Sequence, residues 1–271
     1  MQSFFLLYKS SSIHYCKAGQ GNKLLLCFHG YSQTLYAFSF LEKNIADDYT
    51  MIAIDFPFHG ETIWNEGLNF APDHLIEIIY LIRSKHQIKS DCMYLLGFSM
   101  GGRVALSLLQ CIPDKIKKLL LIAPDGMKTN FWYWLATQNK AGNTLFRYVM
   151  QKPGFMFTIL KAANKAKLVN QSIYKFISFY IHDRQVRDDL YKRWTTMRSF
   201  QPDIEKIKLL IKEKKVSVRM LYGEYDRIIR FERAEKLKKG IEPFCELKVI
   251  PAGHQLLNQQ NTETIIELLK N

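Results

Sequence analysis

The sequence predicts an α/β protein built on a mostly parallel sheet of eight strands, with helices on both faces and one inserted helical segment. Short apolar runs alternate with longer helical patterns, as in chains of strand–helix–strand units. Several apolar runs contain no polar position, which is typical of interior strands covered on both faces. The alternation stops after Pro124 and resumes at Val216, which indicates an insertion.

The predicted strands are short apolar runs, and two of them, Leu24–Phe28 and Leu119–Ala123, are continuously apolar. The first two strands are expected to form a hairpin-like edge. The eight predicted strands are Phe4–Tyr8, Ser12–Lys17, Lys23–Phe28, Thr50–Asp55, Cys92–Gly97, Lys118–Ala123, Ser217–Tyr222 and Glu246–Ile250.

Helical periodicity fills the intervals between these strands. The predicted helices of the core are Asp73–His86, Met100–Gln110, Phe231–Lys239 and Thr262–Lys270. From Met127 to about Ile204, helix-like stretches occur without a convincing strand. We therefore predict a core domain of residues 1–126 and 205–271 and a helical cap, or lid, of residues 127–204. An insertion after the carboxyl end of a strand lies over the crevice where open α/β sheets bind ligands.

The charge of the chain is concentrated in one region. The net charge is +13, and residues 127–215 hold 18 Lys and Arg against 6 Asp and Glu, an excess of 12. Such a segment attracts an anionic substrate, an anionic membrane surface or nucleic acid. A solvated lysine-rich surface explains the charge equally well.

The cysteines and the N-terminus bear on the compartment. The chain has five cysteines, an odd number, and the sequence contains no Cys-x-x-Cys pair. We therefore expect a reducing, cytoplasmic location. Cys27 and Cys92 are expected to be buried as small apolar side chains. The N-terminal apolar stretch is too short for a secretory signal, and no run approaches the ~20 residues that span a bilayer.

The strongest chemical signal is the segment Leu95–Arg103. It contains Gly97-x-Ser99-x-Gly101 between a strand pattern and a helix pattern, the context that a nucleophile elbow requires. The glycines let strand and helix approach, so the turn would present the serine hydroxyl above the sheet. A glycine-rich turn without catalysis is the less favoured alternative.

A second signal is the turn Phe28–Ser32, which follows an apolar strand and contains a His-Gly pair. Such a turn can present a backbone N–H into the crevice. We predict an oxyanion hole formed by the N–H groups of Tyr31 and Met100. His29 itself is expected to hold the turn.

Two further loops supply an acid and a base. The apolar strand at Met220 runs into an acidic loop that contains Asp226, and the strand ending at Ile250 runs into a loop that contains His254. Because parallel strands end at the same edge of a sheet, the side chains of Ser99, Asp226 and His254 can converge. The histidine would accept the serine proton, and the aspartate would orient the imidazole.

Through these motifs, nearly the whole chain resembles the α/β-hydrolase superfamily. The resemblance rests on five segments: the His29-Gly30 turn, Asp55–Gly60, the Ser99 elbow, Tyr222–Asp226 and Gly253-His254. It implies the triad Ser99, Asp226 and His254 and an oxyanion hole at Tyr31 and Met100. Members of the family hydrolyse esters, thioesters, amides or lactones, and some cleave C–C bonds or catalyse eliminations.

Two positions qualify the resemblance. Phe58 stands where the family usually has glycine, which affects no catalytic group. Serine at position 99 argues against dehalogenases and epoxide hydrolases, in which the family has aspartate there.

Other candidate groups compete for the same roles. Asp125 and Glu224 are alternative acids, and Asp226 is favoured because a Gly-x-x-Asp loop after this strand is the common arrangement. No His or carboxylate pattern predicts a metal site. The remaining histidines are expected to be structural or on the surface: His14, His59, His74, His86 and His182.

Phe98 and Arg103 are the candidate substrate-binding residues. The run Ser-x-Gly-Gly-Arg resembles the menaquinone-pathway lyase that eliminates pyruvate from a succinyl-cyclohexene carboxylate, in which that arginine helps hold an anionic substrate. The basic cap would suit such a substrate, but Phe98 replaces the tyrosine usual in those enzymes. A helical arginine that makes a salt bridge is the favoured alternative for Arg103.

The aromatic cluster Phe131–Trp134 has three interpretations. Core packing of the cap is favoured over the lining of an acyl or aryl pocket. A membrane-facing lid is the third, because aromatic and basic residues occur together.

These observations favour a serine hydrolase that needs no cofactor and cleaves a small ester or thioester through an acyl-enzyme. The substrate would be a small molecule that is anionic or carries an apolar acyl group, and no nucleic acid partner is expected. The alternatives are a lyase with the same triad and a non-catalytic protein that uses this fold for binding.

Overall fold

The eight strands of the sheet are short and lie close to the predicted positions. The structure, a computed structural model, describes residues 1–127, 131–165 and 182–271. The strands are β1 (Gln2–Tyr8), β2 (Ser11–Ala18), β3 (Lys23–Phe28), β4 (Tyr49–Ile54), β5 (Met93–Phe98), β6 (Ile116–Ile122), β7 (Ser217–Gly223) and β8 (Cys245–Ile250). Their order in the sheet is β1-β2-β4-β3-β5-β6-β7-β8.

The sheet is parallel except at one edge. Strand β2 runs antiparallel to both β1 and β4, and every other neighbouring pair is parallel. The carboxyl ends of β3, β5, β6, β7 and β8 therefore meet at the same edge, where a parallel sheet places its ligand-binding loops.

Ten α-helices accompany the sheet in the described ranges. They are α1 (Glu42–Ile45), α2 (Pro72–Lys85), α3 (Met100–Cys111), α4 (Phe131–Thr137), α5 (Lys140–Gln151), α6 (Gly154–Lys165), α7 (Arg184–Thr196), α8 (Ile204–Lys214), α9 (Glu232–Lys238) and α10 (Thr262–Lys270). No helix in these ranges combines the length and the apolar character needed to cross a bilayer.

Both faces of the central strands of the sheet are buried. Along β3, Leu25 and Cys27 belong to an apolar cluster that includes Phe38 of a 3-10 helix and Leu268 of α10. The alternate residues of the same strand, among them Leu26, are equally buried. Because successive side chains of a strand point to opposite faces, a strand without polar positions needs cover on both sides.

The chain divides into two compact units, and the helices α4–α7 belong to the second. Its described residues are 67–69, 131–165 and 182–198. Within this unit, Tyr133 of α4 and Phe146 of α5 pack against Trp194 of α7, with ring centroids 5.2 and 5.7 Å apart. The role of residues 127–204 as a cap stays a prediction.

The fold class predicted from the sequence is confirmed, and each strand lies within two residues of its predicted bounds. The 3-10 helix Leu35–Leu41 was not predicted. Its start depends on Asp55, whose Oδ1 accepts the Leu35 N–H at 2.7 Å across 20 residues of sequence. A contact of this range leaves no local signature.

The expectation for the cysteines was half right. Cys27 is buried in β3, but Cys92 directly precedes β5 and is half-buried. All five cysteines are free thiols. The cytoplasmic location stays a prediction.

A buried lysine lies on β6 and contacts the last turn of the C-terminal helix. The side chain of Lys118 is 5% exposed, and its Nζ donates to the carbonyl oxygen of Leu269 at 2.8 Å. Tyr49 Oη donates to the same oxygen at 3.1 Å. Burial, followed by repulsion from Arg219, lowers the pKa of Lys118 to about 8.

We expect this lysine to make stability depend on pH. Because its pKa is lowered in the folded state, the unfolded chain binds more protons between about pH 8 and pH 10.5. Stability therefore rises with pH across that window, by about 2–3 kcal/mol. Urea unfolding at pH 7 and pH 10 gives the free energy of unfolding of the wild type and of Lys118→Met. Relative to the variant, the wild type should be more stable at pH 10 than at pH 7.

Lys117→Met is the matched control, because Lys117 is the exposed neighbour on the same strand. Its difference from the wild type should stay constant with pH. If the difference in unfolding free energy between Lys118→Met and the wild type did not change with pH, burial would not lower the pKa of this amine.

Candidate active site

Ser99 occupies a strained turn between β5 and α3. Its backbone has φ 50° and ψ −114°, a combination that residues other than glycine rarely adopt. Three hydrogen bonds hold the turn: Ser99 N–H donates to Ile122 O, and the N–H groups of Gly102 and Asp125 donate to Ser99 O, each at 2.9 Å. The hydroxyl group is thus carried on a rigid backbone.

Two glycines make this turn sterically possible. A Cβ on Gly97 would lie 2.4 Å from Gly101 O, and a Cβ on Gly101 would lie 1.9 Å from Phe28 O. Helix α3 therefore approaches β5 and β3 more closely than any side chain permits. This contact is the physical basis of the Gly-x-Ser-x-Gly pattern.

The imidazole of His254 joins the serine to a buried carboxylate. Its Nε2 lies 3.2 Å from Ser99 Oγ, and its Nδ1 lies 2.7 Å from Asp226 Oδ2. Because the carboxylate accepts from Nδ1–H, Nε2 is left to accept the serine proton. The three predicted side chains are within hydrogen-bond reach of one another, although they are up to 155 residues apart in the chain.

The carboxylate of Asp226 is fixed by the backbone of its own loop. Its Oδ1 accepts the N–H groups of Ile228 at 2.7 Å and Ile229 at 2.9 Å. This loop is in turn bonded to the one that carries the histidine, since Tyr225 N–H donates to Ala252 O at 3.0 Å. The positions of Asp226 and His254 are therefore set by backbone contacts within and between the β7 and β8 loops.

The His-Gly turn after β3 is held by a neutral imidazole. The N–H of Phe56 donates to His29 Nε2 at 3.2 Å, so the ring proton is on Nδ1, which donates to Gly30 O at 2.8 Å. The N–H of Gln33 donates to the same carbonyl at 3.2 Å. Two donors therefore fix the orientation of the peptide between Gly30 and Tyr31.

The two predicted oxyanion donors lie at the ends of rigid elements. Tyr31 N–H belongs to the peptide whose carbonyl is held by His29, and in a planar trans peptide the N–H points opposite to the C=O. Met100 is the first residue of α3, and the first N–H groups of a helix have no partner within it.

Phe98 lies beside His254 as a buried side chain. It is 2% exposed, and its ring centroid is 5.3 Å from that of His254. A Cβ on Gly30 would lie 2.9 Å from the Phe98 ring. The ring thus packs between the base and the His-Gly turn, and its predicted contact with a substrate stays a prediction.

Arg103 and Asp125 face each other next to the elbow. Arg103 is 7% exposed, and its Nη1 lies 3.7 Å from Asp125 Oδ2. The carboxylate that contacts the histidine base is that of Asp226, while the third candidate acid, Glu224, is exposed to solvent. A substrate-binding role for Arg103 stays a prediction, and its observed partner is a carboxylate.

Four of the other histidines have hydrogen-bond partners within the chain. His59 contacts Pro57 O, His74 accepts from Ala71 N–H, and His86 contacts the Tyr15 hydroxyl. His14 is fully buried with its Nδ1 2.7 Å from Asp55 Oδ2 and its Nε2 2.8 Å from Ser3 Oγ. In the described ranges, no group of three His, Cys, Asp or Glu side chains is placed to hold a metal ion.

The sequence did not indicate the pair formed by His14 and Asp55. These residues are 41 positions apart, one within β2 and one directly after β4, and only the antiparallel pairing of the two strands brings them together. The sequence feature that could have indicated this pair was the position of Asp55 at the end of a buried strand.

Phe58 adopts a left-handed backbone conformation. Its φ is 62°, a value at which glycine has no steric penalty and other residues are strained. This explains why glycine would be the usual residue at that position, and the strain lies outside the Ser99–His254–Asp226 chain.

Comparisons with known proteins agree with this architecture. A family model described as the alpha/beta hydrolase fold matches residues 23–206. A Bacillus subtilis protein described as uncharacterized hydrolase YugF is 23% identical over 250 residues, covering 91% of this chain and 88% of its own. A candidate 2-succinyl-6-hydroxy-2,4-cyclohexadiene-1-carboxylate synthase of the same organism is 29% identical over 125 residues, 44% of each chain.

Among solved structures, a thermophilic esterase from Thermogutta terrifontis superposes with a TM-score of 0.70 at 18% identity, covering 100% of this chain and 98% of the esterase. At that identity the likeness concerns the fold alone. Together with the family model, which spans more than half of the chain, it leads to one conclusion: this chain is a member of the α/β-hydrolase family.

Proposed function

We propose that this protein is a serine hydrolase that cleaves a small ester or thioester through an acyl-enzyme. The observation that carries the proposal is the continuous chain of hydrogen bonds from Ser99 Oγ through His254 to Asp226. Serine in the elbow favours acyl transfer over the chemistry of dehalogenases and epoxide hydrolases, in which the family has aspartate.

The hydrogen-bond geometry supports a first half-reaction that acylates Ser99. Ser99 Oγ attacks the substrate carbonyl carbon while its proton passes to His254 Nε2, and Asp226 stabilises the imidazolium. The resulting oxyanion would be bound by the N–H groups of Tyr31 and Met100. Collapse of the tetrahedral intermediate breaks the bond to the alcohol or thiol, which takes the proton from Nε2 and leaves the acyl group on Ser99.

The second half repeats these steps with water. His254 Nε2 accepts a proton from water as the hydroxide attacks the acyl carbon, and the same N–H donors stabilise the second oxyanion. Breakdown returns the proton to Ser99 Oγ and releases the acid. Every proton transfer passes through one imidazole nitrogen, which explains why its tautomer is fixed by a buried carboxylate.

The lyase alternative depends mainly on Arg103. A free guanidinium in the crevice would suit an anionic substrate, and the partial identity to a candidate synthase of this type points the same way. The carboxylate of Asp125 lies 3.7 Å from that guanidinium and offsets part of its charge. We therefore keep ester or thioester hydrolysis as the proposed reaction.

Ser99→Ala tests the nucleophile. We expect turnover of a short chromogenic ester to fall by about 10³-fold or more, since Ser99 carries the hydroxyl that faces His254 Nε2. A fluorophosphonate probe should label the wild type and not this variant. Ser107→Ala is the matched control, because Ser107 is a buried serine of the same helix that donates only to Arg103 O.

Three results would contradict the proposal. Unchanged ester turnover in Ser99→Ala would remove Ser99 from the mechanism. Release of pyruvate from the succinyl-cyclohexene substrate, without ester cleavage, would establish the lyase. Absence of both activities and of labelling would support a binding protein.

Asp226→Asn and Asp125→Asn distinguish the two candidate acids. We expect kcat to fall by about 10³–10⁴-fold in Asp226→Asn, because the amide no longer fixes the tautomer of His254. In Asp125→Asn only the contact with Arg103 is lost, so a change below about tenfold is expected. Steady-state kinetics would reverse the assignment if Asp125→Asn were the more damaging substitution.

His29→Phe tests the support of the oxyanion hole. The phenyl ring can pack against Phe56 but cannot donate to Gly30 O, so the peptide that carries Tyr31 N–H loses one of its two donors. We expect kcat to fall by about 10–10²-fold with little change in KM, since the donor acts mainly in the transition state. His86→Phe is a matched control at the end of α2, and an equal loss of kcat there would contradict this explanation.

A further inference from the structure

The helices α4, α5 and α6 expose an unusual number of large apolar side chains. Six of them are between 42% and 70% exposed in the whole chain: Phe131, Trp132, Trp134, Leu145, Tyr148 and Phe155. We call these six residues, with the basic residues between them, the aromatic face. Scattered apolar residues on a surface are normal, but six within 25 residues of sequence indicate an interaction site.

The aromatic face is distinct from the packing face of the same helices. On α4, Tyr133 packs edge-on against Trp194, while its neighbours Trp132 and Trp134 are exposed. On α5, Phe146 contacts Trp194 and Tyr191 of α7, while Leu145 and Tyr148 are exposed. The core of this unit therefore has its own aromatic residues, and the exposed ones are additional.

The exposed rings form two groups. Phe131 lies with its ring centroid 5.4 Å from that of Trp132 and 6.3 Å from that of Trp134. Tyr148 of α5 lies 6.0 Å from Phe155 of α6. Adjacent rings of this kind form a continuous apolar surface, unlike single apolar side chains that lie apart.

The charge of the aromatic face has one sign. Residues 131–165 contain five Lys and Arg and no Asp or Glu. Lys140, Arg147, Lys152 and Lys161 are exposed, and Lys152 Nζ lies 5.9 Å from the centroid of the Tyr148 ring. Along this segment, cationic side chains thus lie between the apolar ones. The segment has no carboxylate that could repel an anion.

We propose that the aromatic face docks on an anionic lipid surface. Trp and Tyr rings partition to the boundary between headgroups and acyl chains, and lysine and arginine side chains reach anionic headgroups from there. Each basic residue near such a surface contributes a favourable electrostatic free energy of binding, which salt weakens by screening. The face offers more exposed large apolar side chains than basic ones, whereas binding of nucleic acid depends mainly on phosphate contacts.

Vesicle binding by the full chain tests the proposal directly. Co-sedimentation with vesicles of phosphatidylcholine should be weak, and replacing 30% of the lipid by phosphatidylglycerol should raise the partition coefficient by about tenfold or more at 50 mM salt. Raising the salt to 500 mM should reverse most of that gain. Tryptophan emission should shift to shorter wavelength on binding, because Trp132 and Trp134 leave water.

Two double variants separate charge from apolar insertion. Arg147→Glu with Lys152→Glu should lower the partition into anionic vesicles by about 25-fold or more, at about fivefold for each lost positive charge. Lys236→Glu with Lys239→Glu changes the net charge equally, at an exposed lysine of α9 and at the exposed lysine directly after it, and should have a much smaller effect. Phe131→Ser with Trp134→Ser should also reduce binding, whereas Leu209→Ser, at an exposed leucine of α8, should not.

Several outcomes would overturn the proposal. Equal partition into neutral and anionic vesicles, or equal losses in the α9 control, would remove the role of the aromatic face. Binding of a single-stranded oligonucleotide without vesicle binding would assign the face to nucleic acid. A dimer that Phe131→Ser dissociates, again without vesicle binding, would assign it to a second copy of the chain. Thermal unfolding of each variant ensures that folded proteins are compared.

Discussion

The close approach of helix α3 to strands β3 and β5 is the constraint on which the proposed site depends. A side chain at Gly101 would overlap the carbonyl of Phe28, so the helix can start beside the strand only with glycine there. That approach forces the backbone of Ser99 into its unusual conformation and leaves the hydroxyl at the carboxyl edge of the sheet. The hydrogen bonds from Gly102 and Asp125 to Ser99 O keep the strained turn in place.

The molecule contains two histidine–carboxylate pairs of similar construction. Asp226 and Asp55 each follow a buried strand, accept backbone N–H groups and bind a histidine Nδ1 at 2.7 Å. In each pair, Nε2 faces a serine hydroxyl, that of Ser99 or that of Ser3. The difference is that Ser99 lies in an elbow with helix N–H groups beside it, whereas Ser3 lies on the edge strand β1. The two pairs therefore differ in the backbone around the serine and not in the contact that orients the imidazole.

The buried polar groups of the first unit also hold its loops. His29, in its neutral form, connects the chain after β4 to the peptide after β3, because it accepts from Phe56 and donates to Gly30. Phe98 packs between that turn and His254. The backbone groups proposed to bind the oxyanion are thus supported by the packing and hydrogen bonds of neighbouring side chains, which is how preorganised donors retain their orientation during turnover.

The sequence by itself determined the strands, the main helices of the core and the order of the candidate site residues. These properties are local: a continuously apolar run needs cover on both faces, and Gly97-x-Ser99-x-Gly101 between a strand and a helix has few other uses. The sequence favoured Asp226 over Asp125, and the tertiary structure adds the contact of Asp226 with His254. The partner of Arg103 and the His14–Asp55 pair were decided by tertiary structure alone. Each depends on which loops the sheet order places side by side, and that order results from the packing of the whole domain, which no short segment encodes.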